Sequence, residues 1–175
     1  WPTRSDVLRY KCWLEQNYRS PYTGQPITLG KLFTTAYQIE HIIPQSRYFD
    51  NSFSNKVICE AEVNKLKDAQ LGYEFIKNHH GQKVGDVNIF TVAQYEDFVK
   101  TNYRNNKAKM EKLLLEDIPD SFVARQMNDN RYISKLMSNL LSNIVRDKDE
   151  EGVVSKNIVV VNGSITSTLK KDWGL

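Results

Sequence analysis

Cysteine, histidine and long apolar runs are what this 175-residue chain has least of. Two cysteines, Cys12 and Cys59, are too few for a four-thiolate zinc site, so no zinc is expected, and both read as buried free thiols of a reducing compartment. No apolar run reaches the roughly 18 residues of a membrane span, and no signal-peptide pattern opens the sequence. A soluble, cytoplasmic protein with no membrane partner is therefore expected. Repeats and low-complexity tracts are missing too. The net charge of +3 and the pI near 8.8 lean basic, which suits nucleic acid without requiring it.

What is present is ordinary for a folded domain: 40% hydrophobic, 11% aromatic and 26% charged residues, enough for one good core. Ser5 can cap a helix carrying Val7, Tyr10, Leu14 and Tyr18 on one face, and Thr23-Gly24-Gln25-Pro26 reads as a turn. Tyr73 to Asn78 reads as a short helix, Gly85-Asp86 as a loop, and Gln94–Tyr103 and Lys107–Glu116 as two helices with lysines outward. After Pro119 the composition shifts. Ser121 caps the surest helix, with Ile133, Leu136, Met137, Leu140, Leu141, Ile144 and Val145 at helical spacing. Asn157–Val161 reads as a buried strand, and Ser164 as the cap of a last helix. These shifts divide the chain into 1–120, a helix over 121–150, and a strand–helix piece over 151–175.

The densest chemistry lies within the thirty residues Gln38 to Lys67. An apolar run with Glu40 and His41 ends at Pro44, and a polar turn at Asp50-Asn51-Ser52 follows. A second run, Lys56 to Cys59, leads into a short helix carrying Asn64. Strand, loop, strand, helix, with an acid–His pair on the first strand and an Asn on the helix, resembles an HNH or ββα-metal nuclease site. The fold class expected is α+β: a mainly helical domain around that motif, with a short antiparallel two-stranded hairpin.

Phosphodiester hydrolysis needs a deprotonated water, neutralised phosphoryl oxygens and help for the leaving 3′-oxygen. An imidazole, with an ordinary pKa of about 6.5, accepts a proton near neutrality, which makes His41 the candidate general base. Mg²⁺ takes hard oxygen ligands, with Mn²⁺ a plausible substitute; Glu40 offers a carboxylate and Asn64 an amide carbonyl. Successive strand residues face opposite sides, so Glu40 and His41 share a site only if β geometry ends or twists there. Asn55 is better placed to tie down the loop than to bind metal. Arg47, Lys56, Lys65 and Lys67 surround the motif as candidate phosphate contacts. Taken singly, each of these residues has a plain structural role; their joint spacing favours the site. The pair His79-His80 reads as a helix C-terminus, where positive charge is favoured.

The residues IEHIIPQSRYFDNSFSNKV, with an Asn twenty-three positions after the His, resemble the HNH domain of the RNA-guided DNA endonucleases of type II CRISPR systems. The SPYTG turn resembles that family as well. FVARQMNDNRYISKLMSNLL is similar to its linker helix, and VVSKNIVVVNGSITSTLKKDWGL to the start of its third RuvC-like segment. The stretch from about Gly81 to Leu115 is the least diagnostic. The resemblance implies His41 as base, Asn55 as the supporting Asn, and Glu40 and Asn64 as Mg²⁺ ligands. It also implies a prokaryotic, antiviral setting, with the guide-paired DNA strand, the guide RNA and the rest of an effector as partners, and a monomeric fragment. The family more commonly has Asp before the His, so Glu40 carries its carboxylate about one bond length further out. A free-standing HNH nuclease of restriction or homing type, and a nucleic-acid-binding module with a degenerate site, are the alternatives.

Overall fold

Thr3 and Asp6 satisfy each other's backbone at the start of the first helix in the computed structural model, which describes residues 1–161 and 163–174. The Thr3 side chain accepts from the Asp6 N–H (3.2 Å), and the Asp6 carboxylate accepts from the Thr3 N–H (2.8 Å). This box starts α1 (Arg4–Glu15) two residues before the expected Ser5 cap. The face bearing Val7, Tyr10, Leu14 and Tyr18 is exposed; Cys12 is buried, and Leu8 and Trp13 pack beside it. α2 (Leu29–Leu32) is the single turn that follows the Thr23–Pro26 bend.

β1 (Tyr37–His41) and β2 (Lys56–Glu60) form the expected antiparallel hairpin, with Tyr37 opposite Glu60 and His41 opposite Lys56. Directly paired residues share a face of the sheet. Gln38 and Glu40 therefore lie with Cys59 and Val57, while Ile39 and His41 lie with Ile58 and Lys56. The two faces meet different cores. Val57 and Cys59 join Tyr22, Ile42, Phe75, Tyr95 and Val99; Ile58 joins Cys12, Ile27 and Leu32. The outer flank of β2 is covered by side chains of the α1 end: the Gln16 amide both donates to the Ile58 carbonyl (2.8 Å) and accepts from its N–H (2.9 Å). On β1, Arg9 donates to the Tyr37 carbonyl (2.8 Å).

β2 runs straight into α3 (Ala61–Lys67), and α4 (Gly72–His79) follows. Gly85-Asp86 is tighter than a loop: it turns a minimal hairpin of β3 (Lys83–Val84) and β4 (Val87–Asn88). α5 (Val92–Asn102) and α6 (Lys107–Leu113) match the two expected helices, α6 ending earlier. Not every lysine on them faces water. Lys109 is buried, pairs with Glu15 and stands 4.3 Å from the Phe53 ring centroid. The fold class is the expected α+β arrangement around the ββα unit.

The chain divides into two units, Trp1–Asp120 and Ser121–Leu175. The long helix α7 (Asp120–Val145) makes up nearly half of the second, and α8 (Gly163–Asp172) follows it. The stripe Ile133, Leu136, Met137, Leu140, Leu141, Ile144 and Val145 is exposed. Between the helices, the Ser142 hydroxyl accepts from the Ser155 N–H (2.8 Å) and donates to the Ser138 carbonyl (2.7 Å). The buried strand expected at Asn157–Val161 is not formed: Val159, Val160 and Val161 are exposed and pair with no strand among the described residues. A strand exists only with a ladder partner, which β-propensity alone does not supply. The Ser164 side chain, expected as a cap, lies outside the described residues.

Candidate active site

His41 ends β1 half-buried, on the face away from α3. Its Nε2 lies 3.3 Å from the Gln45 amide nitrogen and 3.4 Å from Asn51 Oδ1. One ring nitrogen cannot serve both partners at once. With a lone pair on Nε2, Gln45 donates to it; with a proton there, Asn51 accepts. Each protonation state of the imidazole thus has a partner waiting, a suitable setting for a group that takes up a proton.

Asn55 holds the loop under this ring. It is fully buried; its Oδ1 accepts from the Ile43 N–H (2.8 Å), and its Nδ2 donates to the carbonyls of Ile43 and Asp50 (2.9 Å each). The loop's other anchors are the Lys56 ammonium on the Asn51 carbonyl (2.9 Å), and Lys112 on Asp50 (2.6 Å) and the Ser54 hydroxyl (2.7 Å). Burial pushes the Asp50 carboxyl up, but the Lys112 and Ser52 hydrogen bonds outweigh it and hold it below its ordinary range.

Glu40 faces the other way. Its side chain is 2% exposed and meets the Lys67 ammonium, itself 1% exposed, at 2.5 Å. Its second oxygen accepts from the Tyr22 hydroxyl (2.7 Å). Burial first, and Glu40's charge second, push the Tyr22 phenol well up, so it stays a donor. Lys67 also donates to the His41 carbonyl (3.2 Å), stitching α3 to β1. Asn64, one turn earlier on α3, donates to Gln38 Oε1 (2.7 Å), two residues before Glu40 on the same face.

HNH nucleases are metal-dependent, and the donors here can be tested against that need. They do not fit a Mg²⁺ site as folded. The one carboxylate, Glu40, is already neutralised by an ammonium and has both oxygens engaged, leaving only the Asn64 amide oxygen uncommitted on that face. Among the described residues no three His, Cys, Asp or Glu side chains converge to hold an ion. The structure therefore brings Asn64 and Glu40 to one face of the hairpin and His41 to the other.

The expected phosphate contacts separate likewise. Lys67 is corrected: it is buried in the Glu40 pair and out of reach of a backbone phosphate. Arg47 is exposed but paired with Glu74 (2.5 Å), Lys56 is half-buried on the loop carbonyl, and Lys65 is exposed. Reasoning along the sequence missed Gln45, Asn51, Tyr22 and Lys112. The first signal was available, since Gln45 stands four residues after His41. Tyr22 and Lys112 reach the motif from 18 and 62 residues away.

Comparison with known proteins identifies the family. Residues 20–73 match the family model of the HNH endonuclease, and residues 117–175 that of RuvC endonuclease subdomain 3. The CRISPR-associated endonuclease Cas9 of Staphylococcus aureus is 31% identical over 172 residues, covering 87% of this chain and 14% of the relative. Cas9 1 of Streptococcus thermophilus is 28% identical over 177 residues, covering 97% of the chain and 15% of the relative. The crystal structure of Streptococcus thermophilus Cas9 in complex with the AGAA PAM superposes with a TM-score of 0.58 at 26% identity, covering 97% of this chain and 16% of that one. An HNH nuclease fold joined to a RuvC-type segment is the class these features define. The chain belongs to the CRISPR-associated endonuclease Cas9 family and carries a region matching its HNH endonuclease and one matching its RuvC subdomain 3. It spans about 15% of the length of the curated relatives it matches.

Proposed function

We propose that this chain is the DNA-cleaving HNH part of an RNA-guided effector, hydrolysing the phosphodiester of the guide-paired target strand. The observation that carries the reading is the His41 imidazole, accessible at the end of β1 with an amide donor and an amide acceptor flanking one nitrogen. In this reading Nε2 takes the proton from a water that attacks phosphorus. The P–O3′ bond breaks, the leaving 3′-oxygen takes a proton from solvent water, and Asn51 Oδ1 accepts from the imidazolium, which later gives its proton back to solvent. Asn55 fixes the loop carrying Asn51, and the exposed Lys65 is the cation freest to meet phosphate. Target DNA, guide RNA and the remaining effector domains are the partners; the divalent ion that such nucleases require finds no complete donor set among the described residues as folded. The adjoining RuvC-type match argues against a free-standing restriction or homing nuclease.

A second reading, a nucleic-acid-binding module without cutting activity, draws on the commitment of Glu40 to Lys67. Nicking of duplex DNA and of RNA–DNA heteroduplex by the chain, with Mg²⁺ or EDTA and with His41→Ala as control, separates the two. Divalent-ion-dependent nicking lost in His41→Ala supports the nuclease. Binding with no nicking, also when the remaining effector domains and guide are supplied, favours the second reading.

A further inference from the structure

The loop that presents Asn51 to His41 is held from outside the HNH-matched residues. Lys112, on α6, reaches Asp50 (2.6 Å), Ser54 (2.7 Å) and Ser52 (3.3 Å), closing a three-point clamp around Asn51. One turn earlier on the same helix, the Lys109 ammonium stands over the Phe53 ring at 4.3 Å. Two of the three lysines of α6 thus grip the segment 50–54, whose residue Asn51 carries the oxygen 3.4 Å from His41 Nε2.

We infer that Lys112 is a positioning residue for His41: its clamp on Asp50, Ser52 and Ser54 fixes Asn51 so that its carbonyl oxygen stays aimed at the imidazole. The inference rests on the nuclease reading with His41 as base. Lys112 side-chain exposure is low (16%), and its three partners are all on this loop, so it has no donor left over for DNA. Asp50 keeps its charge through this contact, and a misplacement of about 1 Å in a reacting group costs on the order of a hundredfold in rate. The α6 segment, unremarkable in the motif, therefore sets the geometry of the motif's base.

The test uses the 175-residue chain in four forms: unchanged, Lys112→Met, Lys112→Arg and Asn51→Ala. Long-range proton–nitrogen NMR reads the His41 ring without requiring turnover. Lys112→Met is expected to average or broaden the His41 Nε2 signal, and Lys112→Arg, which can still reach the carboxylate, to preserve it. In Mg²⁺-supported cleavage, Lys112→Met and Asn51→Ala should each lower kcat about ten- to a hundredfold with KM changed less than about twofold. Asn51 is exposed, so its variant reports on the contact even if Lys112→Met fails to fold. An unmoved His41 signal in a folded Lys112→Met, or in Asn51→Ala where Lys112→Met is unfolded, overturns the inference. So does a KM rise that accounts for the whole loss, which would make Lys112 a DNA contact. If instead His41→Ala cuts as well as the unchanged chain, the nuclease assignment itself fails, whatever Lys112 does.

Discussion

Replacing Lys67 by methionine breaks the most deeply buried ion pair among the described residues. The perturbation keeps most of the side-chain volume but removes the ammonium 2.5 Å from Glu40, at a site where the two side chains are 1% and 2% exposed. Only the Tyr22 hydroxyl then remains to a buried carboxylate. Removing one partner of a buried ion pair costs about 3–5 kcal/mol, because the survivor cannot recover its hydration. The lost bond from Lys67 to the His41 carbonyl falls within that range. For a unit of this size each kcal/mol moves the midpoint by about 3–5 °C, giving a fall in Tm of roughly 10–25 °C. The double variant Glu40→Gln, Lys67→Met removes both charges and should be the more stable of the two, at about 1–2 kcal/mol below the unchanged chain. Urea unfolding followed by circular dichroism and Trp13 fluorescence measures all three. A Lys67→Met cost below about 1 kcal/mol, or a double variant no better than the single, would refute the buried pair and restore Lys67 as a surface cation.

Three further outcomes follow from separate features. Gly24 adopts φ +69° with the Phe90 ring so close that an added Cβ would stand 2.3 Å from Cζ, so Gly24→Ala should cost about 2–4 kcal/mol by thermal unfolding, and a cost within about 0.5 kcal/mol would contradict that packing. Burial pushes the Cys12 thiol up to about 11 and the Cys59 thiol well above its ordinary range; both should ignore a thiol reagent at pH 8 and react once the chain is unfolded in urea, and rapid labelling of either in the native chain would show it accessible. Asp50's folded carboxyl lies below its ordinary value of 3.8, so the unfolded chain holds its proton more tightly. Its contribution to stability is complete above that ordinary value and vanishes as pH falls through the folded one. Lys112→Met should move this acid limb to higher pH in a pH series of unfolding midpoints, and an unmoved limb would mean that Lys112 does not hold the carboxyl down.

The hairpin and α3 were legible because their signals are local: β-rich runs at Tyr37 and Lys56, a polar turn between them, and a helix start after Glu60. The same was true of α7, whose apolar spacing persists from Ile133 to Val145. Spacing tells which residues share a face, not what covers it, which is why α7's stripe and the Val7–Tyr18 face of α1 proved exposed. The segment 157–161 failed for a related reason, since a strand is a property of two segments and no partner pairs with this one among the described residues. In the site, Asn55 and His41 sit where short-range turn chemistry puts them. Lys67 could not be told from its neighbour Lys65 by composition; three residues from Asn64 on α3, it meets a buried carboxylate across the helix–strand contact. Tyr22 and Lys112 arrive from other elements, and nothing in the local pattern announces a partner dozens of residues distant.

The side chains flanking the hairpin also limit how this domain can meet a macromolecule. Gln16 fills the Ile58 hydrogen-bonding positions on one margin, while Arg9 and Lys67 fill the Tyr37 and His41 carbonyls on the other. A visiting strand would have to displace these side chains to pair at Ile58, Tyr37 and His41, which disfavours strand addition at those positions.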